Sequence, residues 1–118
     1  MNTPTSETDF SNAVARSIQI RKLYNELEKR NHGSAWTNQE DMLGFVNDVG
    51  ELGRMVMAAE GRWVHQGDLS KELPEKLAEC LWWLFVLSER LGIDVSTAFS
   101  SKMAALESSL SASLEDSV

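Results

Sequence analysis

The sequence predicts an all-α fold, an antiparallel bundle of about four helices. Three observations carry this. Apolar residues recur at three- and four-residue spacing through long stretches, as a helix with one buried face requires. Only two prolines and seven glycines interrupt 118 residues. The connections between periodic stretches are short, and short connections make neighbouring helices antiparallel.

Taken in order, residues 1 to about 8 read as a loose arm. From Phe10 to Arg30 the apolar positions Phe10, Ala13, Val14, Ile20, Leu23, Tyr24 and Leu27 alternate with charges, and Asn31-His32-Gly33 stops the helix. Thr37-Asn38-Gln39-Glu40 fits a capping box that opens a second helix running to about Glu60, with Phe45, Val49, Leu52 and Val56 as its apolar stripe. A loop bracketed by Gly61 and Gly67 carries Arg62, Trp63, His65 and Asp68. Ser70 is expected to cap the third helix, with Pro74 tolerated in its first turn and Gly92 at its end. Asp94 or Ser96 caps a fourth helix carrying Ala98, Phe99, Met103 and Leu106. The serine-rich, acidic segment from Ser108 to Val118 is expected to fray. The whole chain reads as one domain.

Cys80 to Leu87 is apolar around its whole circumference. Such a helix must be covered on every side, which a four-helix protomer does not achieve. The expectation is therefore a homo-oligomer with Trp82 or Trp83 at the subunit contact.

Composition narrows the function classes. Apolar residues make up 42% and charged residues 25%, an ordinary globular balance. The net charge of −7 argues against nucleic acid as a partner, because a phosphate backbone demands an excess of Lys and Arg. The apolar run is too short to cross a bilayer, so no membrane role is expected. The polar N-terminus lacks signal-peptide character, and the single Cys80 has no disulfide partner. A cytoplasmic setting is the expectation.

The acids are the chemistry-bearing residues. With the second helix's apolar stripe near 0°, Asp48 falls about 60° away and Glu51 about 120° away, neighbours at i, i+3 on the flank of the buried face. Glu79 immediately precedes the apolar run of the third helix, with Glu72 seven residues earlier and Lys76 between. Two carboxylates on one helix facing a third on its neighbour can hold Mg²⁺ through oxygen. Equally, such acids can form a solvated flank, with Glu51 paired to Arg54.

Two stretches, Gly44-Phe45-Val46-Asn47-Asp48-Val49-Gly50-Glu51-Leu52 and Glu75-Lys76-Leu77-Ala78-Glu79-Cys80-Leu81-Trp82, resemble the MazG-like branch of the all-α nucleotide pyrophosphohydrolases. His32-Gly33 with Trp36, and Leu91-Gly92-Ile93-Asp94 with Lys102, follow in the family's order, so the likeness spans about residues 20 to 107. The resemblance implies a Mg²⁺-dependent enzyme, with Mn²⁺ as a substitute. It cleaves a nucleoside triphosphate to the monophosphate and pyrophosphate, in the manner of nucleotide-pool house-cleaning, and assembles as a homodimer or tetramer. It further implies Asp48, Glu51 and Glu79 as metal ligands, Asp48 and Glu51 as catalytic acids, Lys102 as a phosphate contact and Trp36 as a residue near the base pocket.

The family motif is E-E-x-x-E followed by E-x-x-D, and this chain departs from it. Asn47 replaces the first acid, and Leu106 stands where many members are polar. Lys76 occupies the place of the second motif's glutamate, and an ammonium cannot coordinate a metal. Three outcomes are open: Lys76 pairs with the three acids in place of metal; it swings outward while Glu72 or Glu75 supplies a ligand; or it contacts substrate phosphate. The first would leave a degenerate, non-catalytic bundle that binds nucleotides or proteins.

Other residues carry less. Trp36 also fits a hydrophobic staple beneath the helix cap. Trp63 could stack on a base, and His65 reads as a surface residue. Cys80 reads as a buried small hydrophobe. The sequence contains neither a Gly-rich phosphate loop nor a Ser/His/Asp arrangement.

Overall fold

The computed structural model describes residues 9–116; the expected loose arm at residues 1–8 lies outside that span. Among the described residues there are four helices and no strand: α1 (Phe10–His32), α2 (Asn38–Ala59), α3 (Leu69–Arg90) and α4 (Val95–Asp116).

Local chemistry sets the helix ends. The Asp9 side chain accepts the Asn12 N–H at 2.8 Å and caps α1. Gly33 closes that helix at φ 84°, a left-handed conformation that costs glycine little, and its N–H returns to the Lys29 carbonyl. The Thr37 capping box forms in full: the Glu40 N–H donates to the Thr37 hydroxyl, and the Thr37 N–H donates to the Glu40 carboxylate. α3 begins two residues earlier than the Ser70 cap predicted. Asp68 is its N-cap, because the Glu72 carboxylate reaches back to accept the Asp68 N–H at 2.8 Å. Ser70 merely donates to the Asp68 side chain, and Pro74 therefore sits inside the helix beyond its first turn. Asp94 caps α4 by accepting from both the backbone N–H and the hydroxyl of Thr97. α4 then continues to Asp116, through the segment expected to fray.

α3 is the central element, packed along α2 and crossed by α1. The α2–α3 pair runs antiparallel: Arg90 meets Asp41 at one end, and Lys76 meets Glu51 toward the other. The small core comprises Met55, Cys80, Trp83, Phe85 and Val86. Phe10 packs against Phe85 and Phe99, which ties the start of α1 to α3 and α4. α4 buries none of its residues. The radius of gyration, 18.4 Å, exceeds the ~13 Å of a compact domain of about 100 residues. The protomer is open.

The buried face of α2 is rotated from the predicted stripe. Val49 and Val56 are exposed, whereas Asp41 is fully buried and Asp48 half-buried beside Trp83. The cause is electrostatic: these carboxylates meet cations and an indole donor inside, and paired charges tolerate burial. Trp83 is also buried within the protomer, and Trp82 donates its indole N–H to the Ser17 carbonyl at 3.0 Å. The apolar surface left open on α3 is instead Leu77, Leu81 and Leu84. No helix among the described residues is long and apolar enough to cross a membrane.

Candidate functional site

The three predicted acids converge. Asp48 and Glu51 project from consecutive turns of α2, and Glu79 projects from α3. Lys76, one turn before Glu79, lies at their centre. Its Nζ is 2.7 Å from Glu51 Oε2, 3.2 Å from Glu79 Oε2 and 3.3 Å from Asp48 Oδ1. Of the three outcomes open to Lys76, this is the pairing with all three acids. Glu51 does not pair with Arg54, and Glu72 is engaged by His65 and the Asp68 N–H in the α2–α3 connection.

Two acids are steadied by neutral donors on their other oxygen. The Trp83 indole N–H donates to Asp48 Oδ2 at 2.7 Å, and the Asn47 amide donates to Glu51 Oε1 at 3.3 Å. The Lys76 side chain is 12% exposed and that of Asp48 14%, against 42% for Glu51 and 52% for Glu79. Lys76 and Asp48 thus form the floor of the cluster, and the glutamates form its rim. Burial works against the Lys76 charge. Hydrogen bonds to Glu51, Glu79 and Asp48 and the Asp48 charge outweigh it, holding the ammonium above the ordinary lysine value. The hydrogen bond from Lys76 holds Glu51 below the ordinary carboxylate value, against its partial burial. Burial pushes the Cys80 thiol up, in keeping with an inert buried side chain.

A cavity of about 480 Å³ adjoins the cluster. Asp48 and Glu79 border it, and Tyr24, Trp36, Trp82 and Trp83 form its aromatic wall. Trp36 and Trp83 lie nearly parallel at 12°, with ring centroids 6.3 Å apart. Trp82 meets Trp83 at 4.6 Å and Tyr24 at 5.7 Å. Gly44 permits this wall, since a Cβ there would lie 2.7 Å from the Trp83 ring and 3.1 Å from Trp36.

The Trp36 backbone is gripped from both sides by residues that sequence reasoning missed. Its N–H donates to Glu28 Oε1 at 2.8 Å, and its carbonyl accepts from Arg90 Nη2 at 2.9 Å. Arg21 pairs with Glu28 and with Asp41 Oδ1, and Arg90 also reaches Asp41 Oδ2. Burial opposes the Glu28 charge, yet the Arg21 hydrogen bond and the Trp36 N–H hold its pKa below the ordinary value. The available signal was positional. Arg21 and Glu28 are seven residues apart on one face of α1, and Asp41 and Asp48 are seven apart on α2.

Of the remaining predicted residues, Lys102 is exposed on α4 and forms no ion pair with the acids. Trp63 is exposed in the α2–α3 connection. His65 is more enclosed than a surface reading implies, its side chain 17% exposed and 3.3 Å from Glu72.

The donor set also bears on metal. Three carboxylates are hard oxygen ligands of the kind Mg²⁺ takes, and two present a single oxygen to a shared point already held by a positive charge. The ammonium stands in for a cation there. Among the described residues no group of three or more His, Cys, Asp or Glu side chains is arranged to hold a metal ion, and the ammonium occupies the point that the three acids share.

No protein-family model, curated protein or solved structure matches this chain.

Proposed function

We propose that this chain is a MazG-like nucleoside triphosphate pyrophosphohydrolase, converting a nucleoside triphosphate to the monophosphate and pyrophosphate in the cytoplasm. The observation that carries this reading is the convergence of Asp48, Glu51 and Glu79 at the edge of an aromatic cavity. The cavity suits a planar base, which stacks favourably on indole faces. Asp48, Glu51 and Glu79 would hold Mg²⁺ in place of the Lys76 ammonium, and the ion would supply charge neutralisation for the phosphates and activation of a water.

The chain's own groups supply the rest. Trp83 and Asn47 keep Asp48 and Glu51 oriented through their second oxygens. Glu51, at the exposed rim and held ionised, accepts the proton of the attacking water. Water adds to phosphorus and the α–β bridging oxygen leaves with pyrophosphate. Lys76, on its flexible stem, would turn from the acids toward the departing charge.

The assembly belongs to the same reading. Leu77, Leu81 and Leu84 on α3, Val46 and Val49 on α2, and Leu106, Leu110 and Leu114 on α4 are exposed apolar stripes. Such surface marks a protein contact, and a homodimer or tetramer of this chain covers it. Whether Lys102 meets phosphate depends on that assembly.

One observation favours a second reading. Lys76 already satisfies the acids, as in a bundle that binds nucleotides or proteins without catalysis. Pyrophosphate release from a panel of (d)NTPs with Mg²⁺ separates the two. Turnover of at least one nucleotide by the wild-type chain supports the enzyme. Silence across the panel, with activity appearing only in Lys76→Glu, supports the second reading.

A further inference from the structure

We propose that two copies of this chain exchange their fourth helices: α4 of each protomer docks antiparallel along the uncovered face of the other protomer's α3. The proposal rests on the assembly reading above, names which surfaces meet in it, and stands apart from the catalytic reading.

Two surfaces lack cover in the protomer. α3 is apolar around its circumference from Cys80 to Leu87, and α1 and α2 pack along only part of it. Its remaining side, Leu77, Leu81 and Leu84, stays about half exposed. α4 buries none of its residues and packs along no other helix among the described residues, yet it is helical over 22 residues. A serine-rich helix has little intrinsic stability, and helices in proteins draw most of theirs from burying an apolar face. The contact of Phe99 with Phe10 fixes the start of α4. Its later turns lie off the α3 of their own chain, which leaves a second copy as the occupant.

The two surfaces match in spacing and in charge. Leu73, Leu77, Leu81 and Leu84 step by four, four and three residues along α3. Leu114, Leu110, Leu106 and Met103 step by four, four and three residues in the reverse direction along α4. Laid antiparallel, the two ridges therefore stay in register, side chain against side chain. In that register the acidic end of α4, Glu115 and Asp116, runs over the exposed Lys71 at the start of the partner's α3. Unlike charges close the contact and fix its direction.

The area agrees. The chain exposes 9064 Å², whereas a compact protein of its mass exposes ~6,400 Å². Setting aside ~1,500 Å² for the ten residues outside the described span still leaves about 1,000 Å² in excess. Two copies thus have ~2,000 Å² to bury between them, the scale of a permanent dimer. A two-fold exchange covers both surfaces in both copies and gives each three-helix body its fourth helix.

The test uses the full chain. Sedimentation equilibrium is expected to give a dimer at micromolar concentration. Leu110→Asp and Leu114→Asp place a charge at positions 61% and 72% exposed in the protomer, where substitution alone has little effect. Each is nevertheless expected to weaken dimerisation at least tenfold and to lower the melting temperature. Direction is read by disulfide trapping in a Cys80→Ala background. Leu77→Cys chains refolded together with Leu110→Cys chains are expected to form an inter-chain disulfide on mild oxidation, and neither chain alone is expected to form one. A monomeric wild type, a dimer indifferent to both aspartates, or a disulfide formed by Leu110→Cys alone overturns the proposal; the last would show α4 pairing with α4. If an aspartate variant does not fold, the trapping experiment decides. A dimer that lacks the mixed disulfide removes the helix exchange and leaves the assembly reading standing, whereas a monomer removes both.

Discussion

Asp41 and Asp48 lie seven residues apart on α2, yet they anchor opposite kinds of carboxylate centre. Around Asp41, two acids meet two arginines: Arg21 bridges Glu28 and Asp41, and Arg90 completes Asp41. Asp41 is fully buried, and the centre clamps α1, α2, α3 and the Trp36 backbone together. Around Asp48, three acids share one lysine, and two of them are about half exposed. The first centre is balanced and closed, which is what structure demands of buried charge. The second is left with negative charge and an open rim beside an aromatic cavity. Charge balance, more than burial alone, separates the structural centre from the candidate functional one.

The largest effect is expected at the closed centre. Asp41→Ala leaves the Arg21 and Arg90 charges without their shared partner, and removing one member of a buried pair costs ~3–5 kcal/mol. Urea denaturation of the variant measures it. A loss below about 1 kcal/mol would show that the arginines find other partners and would blur the distinction drawn here.

A smaller effect should appear between the centres. Gly44→Ala puts a methyl against Trp83 and Trp36, and overpacking of this kind costs ~1–3 kcal/mol, offset by up to about 1 kcal/mol of helix propensity. Because the Trp83 indole also holds Asp48, the variant should lose nucleotide affinity measured by calorimetry while its fold persists by circular dichroism. Unchanged affinity would place the nucleotide outside the cavity.

The smallest effect concerns acid. Glu28 has a folded-state pKa below its unfolded value, so its stabilisation is complete above the unfolded value, about 4.3, and is lost as pH falls through the folded one. Glu28→Gln removes that group. The variant should be less stable at neutral pH, and its melting temperature should fall less steeply than wild type between neutral pH and pH 3. Parallel pH profiles would place the acid sensitivity elsewhere.

Much of the fold was legible because helix ends are local chemistry. Thr37 with Glu40, Gly33 and Asp94 each announce a cap through residues three or four positions apart. The start of α3 was misread because the Glu72 carboxylate, not the Ser70 hydroxyl, satisfies the end of the helix. The helicity of residues 108–116 was missed because serine favours local hydrogen bonds over helix interiors. The buried face of α2 was misplaced for a deeper reason. Apolar periodicity centres the inner face on Val49 and Val56 and leaves Asp41 and Asp48 at its edge, and the partners Arg21 and Arg90, distant in sequence, turn that edge inward. For the candidate site, the trio was legible through motif resemblance. The convergence of its members on Lys76 required the register between α2 and α3, which no single helix encodes.

The most direct measurement is a crystal structure grown with Mg²⁺ and a non-hydrolysable α,β-imido nucleoside triphosphate. The account predicts Mg²⁺ bound by Asp48, Glu51 and Glu79, the base against Trp36 and Trp83, and the Lys76 ammonium withdrawn from the acids toward phosphate. Nucleotide bound away from this cavity, or Lys76 still pairing with all three acids while Mg²⁺ sits elsewhere, would contradict it.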